Sequence, residues 1–178
     1  MLMGDIMHMV IIRNFFHMIR EVIAVKDETY GVIDSVDFAI YLNQKAREMN
    51  LDVNVTKIQK WLYICYGLYL ATKKKDQLLN ERPKAWQYGP VFPKVYKKQQ
   101  KNGNSLDNLT SKVSYEELQQ FDEIIEPVLA HFGKWSAAGL VEWTHEKGGA
   151  WDKKFNNGGK QEPMDNFEIM TDFLRFVS

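Results

Sequence analysis

Apolar residues are densest in one stretch near the middle of the chain. Between positions 61 and 71, every residue except Gly67 carries an apolar or aromatic side chain. A helix that is apolar on all sides is buried on several sides, and this stretch is too short to span a bilayer. We therefore predict a central buried helix over about residues 56–72. Thr56 and Gln59 have the spacing of a capping box at its start.

Shorter amphipathic patterns predict further helices on both sides of this stretch. They cover residues 36–49, 93–101, 114–132 and 137–145, and a last helix follows Pro163. Serines stand where N-caps are expected before three of these helices, at Ser35, Ser114 and Ser136. Pro127 is expected to kink its helix. The inward face of the last helix is predicted to hold Phe167, Met170, Leu174 and Val177.

These patterns define the fold class. We predict a mainly α protein, a compact single-domain helical bundle around the central helix, with at most one small β-hairpin near residues 78–88. Pro83 restricts any strand there to an edge position, because proline cannot donate to the ladder. No repeat or low-complexity linker divides residues 35–178, which we expect to form one domain.

Residues 1–34 precede this domain as an amphipathic helix and a loop. Its apolar residues at helical spacing include Ile11, Phe15, Met18, Val22 and Val25. The segment lacks the basic start and the cleavage site of a signal peptide, and charges interrupt it too often for a membrane span. Three interpretations stay open: a helix that covers the core or forms a homodimer through residues 7–25, an upstream extension translated from an earlier start, and a helix on a membrane surface.

Composition narrows the classes of function. A chain of 178 residues with 45% apolar residues suits one domain with a real core. The single cysteine, Cys65, lies in the predicted central helix, so no disulfide can form within the chain and a reducing cytoplasm is expected. The histidines lack metal-ligand spacing: His8, His17, His131 and His145. Because no catalytic cluster or phosphate loop is found either, we expect no metal, no cofactor and no enzymatic activity.

The charge is unevenly distributed, although the formal net charge is zero. Residues 57–101 contain eleven Lys and Arg residues and two acidic residues, a net charge of +9, and the rest of the chain carries the opposite charge. Three interpretations of this segment stay open: a set of solvated faces, a basic surface that meets an acidic partner, and a surface that binds nucleic acid. Because the net charge of the chain is zero, overall electrostatics does not favour a polyanionic partner, and nucleic acid is the least expected of the three.

A stiff turn follows the central helix and leads into the next helix at residues 85–96. Pro90 keeps Gly89 out of the helical conformation, and Pro93 suits the first turn of a helix. The turn is either a structural clamp between two helices or a rigid frame that presents aromatic residues to a partner. In both cases three side chains should be held in a fixed relation near the surface: Trp86, Tyr88 and Phe92.

The turn and the helix before it resemble the Panacea domain, also called SocA-like or GepA-like, over roughly residues 36–155. The residues that carry the resemblance are Trp86, Tyr88, Gly89, Pro90, Val91, Phe92, Pro93 and Tyr96, followed by Thr144, His145 and Trp151. Residues before Ser35 depart from the family pattern. The family is common in prophages and mobile elements.

The resemblance implies an antitoxin that acts by protein binding. Panacea-type domains bind a cognate toxin protein from a neighbouring gene and neutralise it. In the SocA branch the antitoxin works as an adaptor that delivers the toxin to an AAA+ protease. For this chain we expect direct contact with a toxin, with the aromatic turn near the contact surface.

His145 leaves one alternative function open. As the end of a helix, it is expected to lock Trp151 and the turn in place. The alternative is a pocket around His145, Trp86, Tyr88 and Trp151 that binds a small ligand or performs catalysis. A phage-encoded factor that counters host defence is equally compatible with the binding-module interpretation.

Overall fold

The computed structural model of the chain describes residues 10, 13–15, 17–18, 32–73 and 77–177. Eight α-helices and one two-stranded sheet lie in these ranges. In chain order they are α1 (Ser35–Glu48), α2 (Val55–Lys73), β1 (Lys84–Trp86), β2 (Gly89–Val91), α3 (Pro93–Lys101), α4 (Tyr115–Leu118), α5 (Asp122–Phe132), α6 (Ala137–Thr144), α7 (Ala150–Asn156) and α8 (Asn166–Val177). The predicted mainly α class is confirmed.

Helix α2 is the central helix, as predicted, and all its residues from Lys57 to Ala71 are buried. It packs most extensively against α8 and α5. The predicted capping box is wrong. Asn54 caps the helix instead, because its side-chain oxygen accepts from the Lys57 main-chain N–H at 3.0 Å. The side chain of Gln59 therefore does not cap the helix and is available to bind residues outside it.

The face that the last helix, α8, turns to the core was predicted only in part. Met170 and Leu174 are half-buried and pack against the core, as predicted, but the most buried positions are others. Phe167 is 67% exposed, whereas Ile169, Phe173 and Phe176 are buried. The register is decided by Gly67, since a Cβ there would overlap the ring of Phe173. A glycine on an otherwise apolar helix thus makes room for one aromatic ring of its neighbour.

The predicted helix over residues 114–132 is divided, but not at Pro127. A 3₁₀ turn over Gln119–Phe121 separates α4 from α5, and Pro127 lies inside α5. The predicted capping box of Ser114 and Glu117 is confirmed. Ser136 caps α6, as predicted. Helix α1 begins at Ser35, and the preceding Asp34 is its cap.

Most of the predicted N-terminal helix and loop lies outside the described residues, as does most of the predicted homodimer contact. The described residues between 10 and 18 are helical. Phe15 is buried and stacks on His131 of α5, with ring centroids 4.2 Å apart. No helix within the described ranges is long and apolar enough to cross a membrane.

A single antiparallel hairpin connects α2 to α3. Its register pairs Lys84 with Val91, Ala85 with Pro90 and Trp86 with Gly89. The two residues at its tip are therefore Gln87 and Tyr88. The hairpin spans residues 84–91, later than the 78–88 expected, because the signature turn itself forms the second strand.

Candidate functional site

Two successive side chains of α2 bind the hairpin by hydrogen bonds. The Gln59 side-chain oxygen accepts from the Phe92 main-chain N–H at 2.7 Å, and its amide nitrogen donates to Gln99 at 3.0 Å. The Lys60 amine donates to the Pro90 carbonyl at 2.9 Å. The bonds to Phe92 and Pro90 satisfy main-chain groups, and a buried main-chain group left without a partner costs roughly 1–3 kcal/mol.

Gly89 is required for both its conformation and its size. Its φ of +97° lies in the region that L-residues rarely adopt. A Cβ at this position would also lie 2.7 Å from the Lys60 amine and 2.7 Å from the Thr144 hydroxyl oxygen. Thr144 is buried, and its hydroxyl donates to the Val141 carbonyl at 2.9 Å. The hairpin thus fits directly onto α2 and α6.

A stack of three rings supports the hairpin on another side. The His145 ring lies 3.6 Å from that of Trp151 and nearly parallel to it, at 4°. Phe155 stacks on the same indole at 4.7 Å. The Trp151 indole N–H donates to the Trp86 carbonyl at 2.8 Å. His145 therefore supports the hairpin through ring stacking on Trp151.

His145 makes no hydrogen bond through its buried Nε2 within the described residues. Burial lowers the pKa of His145, and the nearby charge of Lys60 lowers it further, while Asp152 acts in the opposite direction. A histidine in this state is mainly neutral at physiological pH. It is suited to packing against an indole rather than to carrying a charge.

The outer edge of β1 is also covered. The Ala85 main-chain N–H donates to the Glu162 carbonyl at 3.0 Å, and the Gln161 N–H donates to the Ala85 carbonyl at 2.7 Å. The Met164 N–H donates to the Pro83 carbonyl at 2.8 Å. Strand β1 is therefore fixed on both edges, which leaves little freedom for the tip.

In front of the hairpin lies a groove with a volume of about 490 Å³. We use the name aromatic groove for this cavity; its principal walls are Gln59, Lys60, Trp86, Tyr88, Val91 and Tyr96. The rings of Trp86 and Tyr96 meet edge to face at 5.2 Å. Tyr88 at the hairpin tip is 71% exposed.

The structure divides the predicted site residues into two groups. One group lines the aromatic groove and consists of Trp86, Tyr88, Val91 and Tyr96, whereas His145 and Trp151 lie outside it. Phe92, expected near the surface, is fully buried and packs edge to face on Tyr66 at 5.6 Å. It anchors the hairpin in the core and cannot contact a partner there.

The remaining signature residues shape the backbone. Gly89, Pro90 and Val91 form the buried strand β2. Pro93 stands in the first turn of α3, where its missing N–H costs nothing. Cys65 is fully buried, and burial raises the pKa of its thiol. Within the described ranges, no group of three His, Cys, Asp or Glu side chains could hold a metal ion.

Comparison with known proteins places the chain in a family. The family described as "Antitoxin SocA-like, Panacea domain" matches residues 58–152. This range is more than half of the chain, and it contains the hairpin, its supports on α2 and α6, and the stack of His145 on Trp151. The chain belongs to the SocA-like Panacea family of antitoxins.

One curated relative in this family is similar over most of its length. Antitoxin SocA of Caulobacter vibrioides (strain NA1000 / CB15N) is 33% identical over 138 residues, which cover 71% of this chain and 73% of the relative. No solved structure matches the chain.

Sequence reasoning missed two residues of this candidate site, Gln59 and Lys60. Both are nearly fully buried and bind the hairpin directly. The available signal was their place at the start of a helix predicted to be buried on several sides. A polar side chain in such a helix needs a tertiary partner.

Proposed function

We propose that this chain is a cytoplasmic antitoxin that binds a toxin protein encoded by a neighbouring gene and neutralises it by direct contact. Membership of the SocA-like Panacea family and the similarity to Antitoxin SocA support the antitoxin role. We place the contact at the hairpin tip and the aromatic groove. The observation that carries this choice is Tyr88, a large aromatic side chain that is 71% exposed on a fixed frame.

The frame favours binding because it is ordered before the partner arrives. Association has to overcome the entropy lost when side chains and loops become fixed. Here the backbone on both sides of Tyr88 is already held, by Lys60 at Pro90 and by Trp151 at Trp86. Tyrosine and tryptophan are among the residue types most enriched at binding hot spots, and on this frame Tyr88 is exposed while Trp86 is half-buried.

The charge next to the groove favours an acidic partner surface. Helix α3 carries Tyr96 on one side and exposes Lys97, Lys98 and Lys101. None of these three lysines forms an ion pair with another described residue. Unpaired surface charges raise the association rate with an oppositely charged protein. We therefore expect the toxin to present carboxylates towards α3.

The test is rescue of growth. The open reading frame beside this gene is induced alone, with the wild-type chain, with Tyr88→Ala and with Phe167→Ala, another aromatic residue of similar exposure on α8. We expect the neighbour to stop growth and the wild type and Phe167→Ala to restore it, whereas Tyr88→Ala fails although it is folded. A harmless neighbour, or no rescue by the wild type, would overturn the proposal.

The same cultures separate direct neutralisation from delivery to a protease. If the chain acts by contact alone, the toxin persists in a complex and its half-life does not shorten. If it acts as an adaptor for an AAA+ protease, the half-life of the toxin shortens when the antitoxin is present. An immunoblot after synthesis is stopped measures the difference, and we expect a persistent complex.

A further inference from the structure

Four lysine side chains are almost completely buried in the described part of the chain, and one differs from the others. Lys45 lies 2.7 Å from Glu126 and Lys73 lies 3.2 Å from Glu123. Lys57 lies 3.4 Å from Asp52. Lys60 is 1% exposed, and among the described residues its amine has only the Pro90 carbonyl as an acceptor. A buried ammonium group is costly unless it is paired with an opposite charge.

Lys60 is also the member of this set that lines the aromatic groove. An ammonium group has three donors, and one of them is used by Pro90. Burial without a carboxylate lowers the pKa of Lys60 to about 7. At neutral pH the amine can therefore take up a proton when an anion arrives beside it.

A second donor without an acceptor in the described part of the chain belongs to another residue of the same groove, Trp86. The buried indole N–H of Trp86 has no acceptor among the described residues. Native proteins pair the large majority of their buried polar side-chain atoms, so an unpaired one needs an explanation. Two residues that line the aromatic groove, Lys60 and Trp86, thus carry buried donors with unfilled capacity among the described residues.

We propose that the aromatic groove binds a carboxylate of the partner protein, with Lys60 as its counter-ion and Trp86 as a second donor. The identity of the partner rests on the function proposed above, but the chemistry of the groove does not. A carboxylate supplies the acceptors that both residues lack, and such charge-assisted bonds are the stronger ones. The carboxylate belongs to an Asp or Glu side chain or to a chain terminus.

The single charge of the groove distinguishes a carboxylate from a phosphate. One carboxylate neutralises one protonated Lys60, whereas a phosphate carries about −1.5 to −2 charges and would leave excess charge in a desolvated site. The other polar walls are neutral, such as Gln59, Thr56 and Asn104. The rings of Trp86 and Tyr96 add an apolar surface that suits the rest of a protein side chain.

The experiment uses small probes that differ only in the carboxylate. N-acetylphenylalanine and its amide mimic a chain terminus, while the α-amides of N-acetylglutamate and N-acetylglutamine mimic a side chain. Each is titrated into the ¹⁵N-labelled full chain near pH 6.5, where Lys60 is mainly charged. The indole N–H signal of Trp86 is assigned by its loss in Trp86→Phe.

We expect at least one acid to shift the Trp86 indole signal and to bind about tenfold more tightly than its amide, a preference of roughly 1.4 kcal/mol. The pair with the larger preference identifies the source of the carboxylate. In folded Lys60→Met the preference should disappear. Equal binding of acid and amide, or no shift of Trp86 with either acid at tens of millimolar, would overturn the proposal.

These outcomes are independent of the growth experiment. If the chain rescues growth but acid and amide bind alike, the antitoxin role stands and the carboxylate site is wrong. If the acids bind at Trp86 but no neighbouring gene is toxic, the site stands and the antitoxin role is wrong. Because the acid and amide probes are compared on the wild-type chain, a variant that fails to fold does not affect the decision.

Discussion

The indole N–H of Trp151 donates a hydrogen bond of 2.8 Å to the main-chain carbonyl of Trp86. This bond joins the ring stack behind the hairpin to the strand that carries the groove. The two residues are 65 positions apart in sequence. The segment around Trp151, although distant in sequence, thus helps to fix the hairpin of residues 84–91.

The first prediction compares two Trp→Phe substitutions. Trp151→Phe keeps a ring for stacking on His145 but removes the donor to Trp86, and it should lower the free energy of unfolding by about 1–2 kcal/mol. Trp86→Phe removes an N–H without an acceptor in the described part of the chain, and it should cost less. Urea unfolding measures both. Equal costs would show that the bond is not a support.

The second prediction concerns Gly89. Gly89→Ala must adopt a positive φ and also place a Cβ 2.7 Å from the Lys60 amine and the Thr144 hydroxyl oxygen. We expect a loss of about 2 kcal/mol or more in thermal or urea unfolding. Gly103→Ala is the matched control, because its φ is +66° and nothing lies within 4 Å. It should lose only the conformational part, about 1 kcal/mol.

The third prediction is a pH dependence due to Lys60. Burial lowers the pKa of Lys60 from its ordinary value of 10.5, which applies to the unfolded chain, to about 7 in the folded chain. Between these values the unfolded chain holds a proton on Lys60 that the folded chain does not, so stability rises with pH. Below about pH 7, Lys60 is charged in both the folded and the unfolded chain, so its titration no longer makes stability depend on pH.

The measurement is the free energy of unfolding of the wild type minus that of Lys60→Met, from about pH 6 to about pH 8.5. The difference should be level at first and then rise by up to roughly 1 kcal/mol per pH unit above about pH 7. Taking the difference cancels the titration of groups that Lys60 does not influence. The pKa of His145, which the charge of Lys60 lowers, is followed separately by NMR in both proteins. A difference that stays level throughout would show that Lys60 keeps its ordinary pKa.

The sequence predicted the central helix because its signal is local. Apolar residues all round α2 require burial whatever the neighbours are, and the structure buries them. The capping box of Ser114 and Glu117 is equally local, since both partners lie within one turn. These features depend on residues three or four positions apart.

The features that were wrongly predicted depend on distant partners. Gln59 has the right spacing for a capping box, but its side chain binds Phe92 and Gln99 instead. The face of α8 is decided by the fit of Phe173 over Gly67. No periodicity within α8 contains that information.

Only part of the candidate site could be predicted from the sequence, because the rest of it depends on contacts between distant residues. The turn signature named Trp86 and Tyr88, and both line the aromatic groove. From the sequence, Lys60 is expected to be a surface charge, because lysines are almost never fully buried without a partner. Only the packing of the hairpin onto α2 removes its amine from water.

The most direct test of the central claim is the affinity of the purified toxin for three versions of this chain. Isothermal titration calorimetry compares the wild type, Tyr88→Ala and Phe167→Ala, each checked for folding by circular dichroism. We predict that Tyr88→Ala weakens binding by about 30-fold or more, a hot-spot loss of about 2 kcal/mol, while Phe167→Ala binds like the wild type. Wild-type affinity in folded Tyr88→Ala would contradict the assignment of the hairpin as the toxin-binding surface.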